Sequence, residues 1–148
     1  MLRNILAAIV GYVAILAVLF ALSSLLWMML GPSGAFEPGT WEVAGGWILG
    51  SIALGFVGAY IGGRVCAQVA HDANGAMILI AIMVVLGVVS TLIPVEVATG
   101  PRPDDVSMLD ATRSARQPAW LTWLNPVIGV VGVWLGSRKL RAPSRHGA

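Results

Sequence analysis

Apolar positions gather into four long blocks, separated by short segments rich in glycine, proline and charge. The first block, Ile5 to Leu30, carries no charge and stops at Gly31-Pro32, a turn signal that also removes a backbone donor. The second runs from Val43 to Gly63, is entered through Trp41 and Glu42, and is extended by a helical stretch from Arg64 to Ala70. The third covers Gly75 to Pro94 and the fourth Pro118 to Ser137. A hydrocarbon layer ~30 Å thick takes about 20 residues at ~1.5 Å each, so every block is long enough to cross it. Lipid offers backbone N–H and C=O groups no partner, which predicts helices for all four. The short link His71-Asp72-Ala73-Asn74-Gly75 makes the second and third antiparallel neighbours. The pattern therefore predicts an all-α polytopic membrane protein: a four-transmembrane-helix bundle filling residues 1–148 as one domain. It has one substantial loop, 96–117, and a basic tail, 138–148.

Composition sharpens this picture. Of 148 residues 57% are hydrophobic and only 11% charged, too few charges to cover a soluble domain of this size. The first block far exceeds the ~7–15 apolar residues of a signal peptide, so it reads as a retained helix. The net charge of +2 does not point to nucleic acid, because four of nine basic residues sit in the carboxyl tail. That tail suits attraction to anionic membrane lipid. One cysteine, Cys66, supplies neither a disulfide nor a CxxC motif, and His71 and His146 lack ligand-spaced companions; no metal or other cofactor is implied.

Orientation follows from the basic residues. Four spans put Arg3, Arg64, Arg138, Lys139, Arg141 and Arg145 on one side and leave Arg102, Arg113 and Arg116 on the other. Both termini are expected in the cytoplasm. Trp27, Trp41, Trp120 and Trp123 fall near the outer boundary, where amphipathic rings favour the headgroups, while Trp47 and Trp134 fall inside spans and read as packing residues.

A shift of 74 residues lays Gly55-Phe56-Val57-Gly58-Ala59-Tyr60-Ile61-Gly62-Gly63-Arg64 over Gly129-Val130-Val131-Gly132-Val133-Trp134-Leu135-Gly136-Ser137-Arg138. Two readings fit. One is duplication into two parallel two-helix repeats about an axis along the membrane normal. The other is that glycine-rich helices ending in a positive-inside arginine resemble one another. On either reading the pairs Gly46/Gly50, Gly58/Gly62 and Gly132/Gly136 place missing side chains on one helix face, where backbones can approach. With Gly55 they are expected to pack helices within the chain or to serve self-association.

Ionisable residues inside a membrane usually mark transport or proton relay. The four blocks contain none in their interiors, which argues against a proton-coupled transporter. The polar residues of interest are Ser51 and the pair Asn125-Pro126, a candidate kink or pore position, since Pro126 cannot donate to the carbonyl of Thr122. In the loop, Asp104 or Asp105 is placed to cap a short helix reaching to about Arg116, with Asp110 and Arg113 paired at i and i+3. Asp104, Asp105, Asp110, Arg113 and Arg116 form the candidate partner-binding loop.

The opening Arg3-Asn4-Ile5-Leu6-Ala7 and the run Gly58-Ala59-Tyr60-Ile61-Gly62-Gly63-Arg64-Val65-Cys66-Ala67 resemble small four-span bacterial inner-membrane proteins without an assigned activity. The resemblance implies a bacterial inner membrane and little about activity. Small multidrug transporters, fluoride channels and quinone-linked thiol oxidoreductases fit poorly. The chain lacks a first-span carboxylate, a Thr-Thr-Phe-Ser break and a CxxC motif, respectively. The function favoured is non-enzymatic: an accessory or scaffold subunit that meets a membrane protein partner through helix packing or the outer loop. The alternative is a small homo-oligomeric channel or facilitator with its pore at the repeat interface. An enzyme ranks third, because no nucleophile–base pair can be placed.

Overall fold

Long apolar runs without internal charge fold here as helices, and no strand forms among the described residues. A computed structural model of the chain describes residues 1–70, 73–93 and 100–138. The expected His71-Asp72 turn, Pro94, Glu96 and the tail residues Lys139, Arg141 and Arg145 lie outside them. Five helices follow in order: α1 (Leu2–Ala35), α2 (Gly45–Ala70), α3 (Ala73–Leu92), α4 (Met108–Ser114) and α5 (Ala119–Arg138).

The helix bounds match the hydrophobic pattern closely. Helix α1 breaks where Gly31-Pro32 predicts, with Gly31 at φ 62° and ψ −176°, then turns on to Ala35. Helix α2 absorbs the stretch from Arg64 to Ala70 into one continuous 26-residue helix. Helices α1, α2 and α5 are each long and apolar enough to cross a membrane. Helix α3 has 20 residues, but its apolar stretch, Asn74–Ser90, is shorter than those of the other three.

Helix α2 is the centre of the bundle. It packs along α1 on one side and α5 on the other, and α1 and α5 do not touch. Helix α3 leans on α5, α1 and α2. Glycines set these approaches. A Cβ built on Gly62 would collide with Ile15 Cγ1 and stand 2.7 Å from the carbonyl oxygen of Gly11. One built on Gly63 would stand 2.5 Å from the carbonyl oxygen of Val133, and one on Gly136 would overlap that of Tyr60. At these points backbone meets backbone, which only a missing side chain permits.

A core of small and branched residues follows at the end near Ala70: Ala7, Ala8, Ile15, Cys66, Leu79 and Val133 are all buried there. Cys66 thus takes a packing position. The glycines of the 74-residue alignment do not meet matching partners. Gly58 and Gly62 face α1, whereas Gly132 and Gly136 face α2 rather than α3.

The opposite end carries a cap. The segment between α1 and α2 folds back on itself, with Ala44 N–H donating to Ala35 O (2.9 Å) and Glu37 N–H to Glu42 O (2.9 Å). Arg116 N–H donates to Trp41 O (2.8 Å) and Val43 N–H to Arg116 O (3.3 Å), tying the chain after α4 to this turn. Phe36, Trp27, Trp41 and Trp47 meet edge to face, with ring centroids 5.8–6.4 Å apart. That arrangement suits the aromatic quadrupole. Val106 and Ala111 bury themselves against the same cluster.

Candidate functional site

Two features could meet a ligand or partner: the exposed surface of the cap and a cleft beneath it. The cap begins with α4. Its N-cap is Ser107, whose hydroxyl accepts from Asp110 N–H (3.2 Å) and donates to the Asp110 carboxylate (2.7 Å). Asp104 and Asp105 therefore do not cap the helix as expected; a serine one residue before Met108 has the extended backbone the position requires. The helix ends at Ser114, short of Arg116. The Asp110 carboxylate accepts from the Ser107 hydroxyl (2.7 Å), which caps the helix, rather than forming the expected pair with Arg113. The face of Met108, Ala111 and Ala115 does turn inward, where Met108 Sδ accepts from the Ser24 hydroxyl (3.8 Å).

Arg102 holds the loop in place. It is only 9% exposed, its guanidinium lies 5.5 Å from the centroid of the Phe36 ring, and its backbone N–H donates to Gly39 O (3.2 Å). One of its terminal nitrogens donates to Pro103 O (3.1 Å), while Nε is buried with no hydrogen-bond partner. The cation–π contact partly offsets that desolvation. By sequence alone Arg102 reads only as a loop charge; the signal for its burial is a cation between Pro101 and Pro103 in a chain with many boundary aromatics.

With Arg102 tucked in, the cap shows mainly acid. Glu37, Glu42, Asp104, Asp105 and Asp110 are exposed, against Arg113 and Arg116. Each of the five predicted loop residues is exposed.

The cleft lies between α1, α3 and α5, below α4, and encloses about 960 Å³. Its floor is mostly apolar, with Ile15, Leu16 and Leu19 from α1 and Met83 and Leu86 from α3, and Tyr12 adds a phenol. Ser90, Thr122 and Asn125 line it higher up, and Thr112, Arg116 and Gln117 line its mouth. Pro126 also lines it and packs on Gly87, where a built Cβ would stand 2.8 Å from the proline Cγ. Helix α5 continues through Pro126 to Arg138.

The predicted glycines separate by use. Gly50 lies against Leu26, Gly58 against Leu19 and Gly132 against Ala59, and Gly62 and Gly136 meet backbone. Gly55 only touches Ile128 at 4.0 Å, and Gly46 has nothing within 4 Å. Gly46 is therefore not a packing position; it lies in the first turn of α2, before the helices converge. Ser51 does not join Asn125 in the cleft, because it sits on α2, which contributes no residue to the lining; its hydroxyl donates to Ile48 O (2.8 Å). Trp134, expected to pack, is 45% exposed and lies beneath Arg138, whose guanidinium carbon is 3.2 Å from the ring centroid. Its α5 face simply has no neighbour there, while Trp47 does pack, on Trp27.

Among the described residues no group of three or more His, Cys, Asp or Glu is placed to hold a metal ion. Compared with protein-family models, curated proteins and solved structures, the chain finds no match.

Proposed function

We propose that the chain is a non-enzymatic, four-span membrane scaffold that presents its cap to a partner at the outer face of a bacterial inner membrane. Helix α3 serves as the fourth span in this reading, since 20 residues rise ~30 Å, the thickness of the hydrocarbon. Both termini then face the cytoplasm, in keeping with the basic residues at Arg3, Arg64 and Arg138. The 74-residue likeness is read as recurring glycine packing rather than as a symmetric repeat, because its glycines meet unlike partners.

The observation that carries the reading is the fixed cap. A loop held by backbone hydrogen bonds, an aromatic cluster and buried Arg102 presents its carboxylates with little ordering cost on binding. The glycine faces, by contrast, are already filled by helices of the same chain. A partner is therefore expected to bring a basic surface to Asp104, Asp105 and Asp110.

Affinity capture of the tagged chain from mild detergent, read by native mass spectrometry, tests this. The wild type is expected to retain a stoichiometric second protein, and the triple change Asp104→Lys, Asp105→Lys, Asp110→Lys to lose it while remaining monodisperse. Retention by the triple variant would rule out the cap as the docking surface. A homo-oligomer without a second protein would favour the channel instead.

A further inference from the structure

The cleft under α4 sets polar side chains at a depth where lipid offers them nothing to bond. Four of its wall residues, Tyr12, Thr122, Asn125 and Gln117, make no side-chain hydrogen bond to any described residue. Packing does not bury their polar atoms either. Asn125 and Gln117 are exposed, and Tyr12 and Thr122, though half-buried, keep their hydroxyls open to the cleft. Pro126 adds a backbone acceptor, because it has no N–H to give the Thr122 carbonyl.

Depth makes these groups informative. Asn125 lies six residues into α5, about 9 Å from its start. Tyr12 lies ten residues along α1 from Leu2, about 15 Å, which is half the ~30 Å hydrocarbon thickness. Polar side chains and freed carbonyls at such depths persist where they line a water-filled cavity. A volume of about 960 Å³ has room for many waters, each taking ~30 Å³ in the liquid. The rim, Thr112, Arg116 and Gln117, is polar, exposed and on the cap side. Beyond Tyr12 the bundle closes. A Cβ built on Gly11 would stand 2.7 Å from Cys66 Cβ and 3.0 Å from Leu79 Cδ2, and Ala7 and Ala8 are fully buried.

We propose that the cleft is a water-filled vestibule, open on the cap side and closed at Tyr12, which carries water and small polar solutes about halfway into the membrane. One chain then holds a blind vestibule rather than a through pore. The proposal rests on reading α3 and α5 as spans, but not on the partner-binding reading of the cap.

Single cysteines in a Cys66→Ala background test it with a charged, membrane-impermeant methanethiosulfonate, applied on whichever side labels Asp104→Cys. Leu86 and Val89 decide most. They are 43% and 45% exposed, yet only Leu86 lines the cleft, and it lies farther from the cap end of α3. A thiol in hydrocarbon stays protonated and unreactive, whereas one in water forms the thiolate. Leu86→Cys, Ser90→Cys and Asn125→Cys are therefore expected to react at least about tenfold faster than Val89→Cys and Val127→Cys, which do not line the cleft. Three wall positions keep the test independent of how any one variant folds. The proposal is overturned if the wall cysteines stay unreactive while Asp104→Cys labels, or if the flank cysteines react as fast as the wall. Labelling of Asp104→Cys and the wall from the cytoplasmic side would keep the vestibule and overturn the outward orientation instead.

Discussion

Gly136→Val is expected to leave the chain unable to form a stable bundle, whereas Gly46→Ala is expected to be neutral or stabilising. Any Cβ at Gly136 overlaps the Tyr60 carbonyl oxygen and stands 3.0 Å from the Tyr60 carbonyl carbon and 3.1 Å from the Arg64 nitrogen. All three are backbone atoms of α2, so no rotamer change relieves the clash; α5 has to move away. That movement also opens the contact between Gly63 and the Val133 carbonyl one turn away. Overpacking in a yielding core costs about 1–3 kcal/mol, and a site walled by backbone belongs at the top of that range or above it. Gly46 has open space around it, and replacing a helical glycine by alanine gains up to about 1 kcal/mol. The readout is unfolding in detergent, followed by tryptophan fluorescence and size exclusion. If Gly136→Val gave a folded monomer as stable as the wild type, the α2–α5 contact would be wrong.

Leu79→Ala has the second largest expected effect. Leu79 is fully buried where α3 meets α1 and α2, and its Cδ2 comes within 3.0 Å of a Cβ built on Gly11. In water such a truncation costs about 2–5 kcal/mol, part from lost transfer free energy and part from the cavity left behind. Lipid tails are as apolar as the leucine, so in a membrane the packing loss dominates. A value near the lower end, about 2 kcal/mol, is therefore expected. Leu92→Ala, on the exposed end of the same helix, should change stability by less than about 0.5 kcal/mol. The same unfolding assay reads both variants. Equal effects would mean that α3 does not dock by this face.

The sequence made the helices legible because lipid-crossing runs have a strong and simple signature. Gly31-Pro32 marked the break in α1, and the extension from Arg64 to Ala70 was readable because apolar and small residues continue past Arg64. The i+4 glycine spacing identified packing faces at Gly58, Gly62, Gly132 and Gly136, but not which helix each would meet. Choosing a partner depends on how the connecting segments aim the helices, and periodicity does not encode that. For the same reason Gly46 shared the motif without sharing the contact.

The cap was less legible. Burial of Arg102 against Phe36 joins residues 66 positions apart, and local rules favoured Asp104 or Asp105 over Ser107 as the helix cap. The five loop residues were identified as a group because exposed charges in a loop remain exposed whatever the detailed path. Asn125 and Pro126 stand out as a pair in the sequence because a proline inside an apolar block frees a carbonyl. That they share a cleft with Arg116 follows only from the way α1, α3 and α5 stand apart below α4.

The central claim is that four helices cross the membrane, with the cap on the side opposite both termini. Side-specific labelling of single cysteines at Leu2→Cys, Asp104→Cys and Arg138→Cys, in a Cys66→Ala background, tests it most directly. With a membrane-impermeant maleimide on spheroplasts of the expressing cells, Asp104→Cys should label in intact spheroplasts. Leu2→Cys and Arg138→Cys should label only after permeabilisation. Labelling of Leu2→Cys and Arg138→Cys from opposite sides would mean three spans, with α3 outside the count, and would contradict the account.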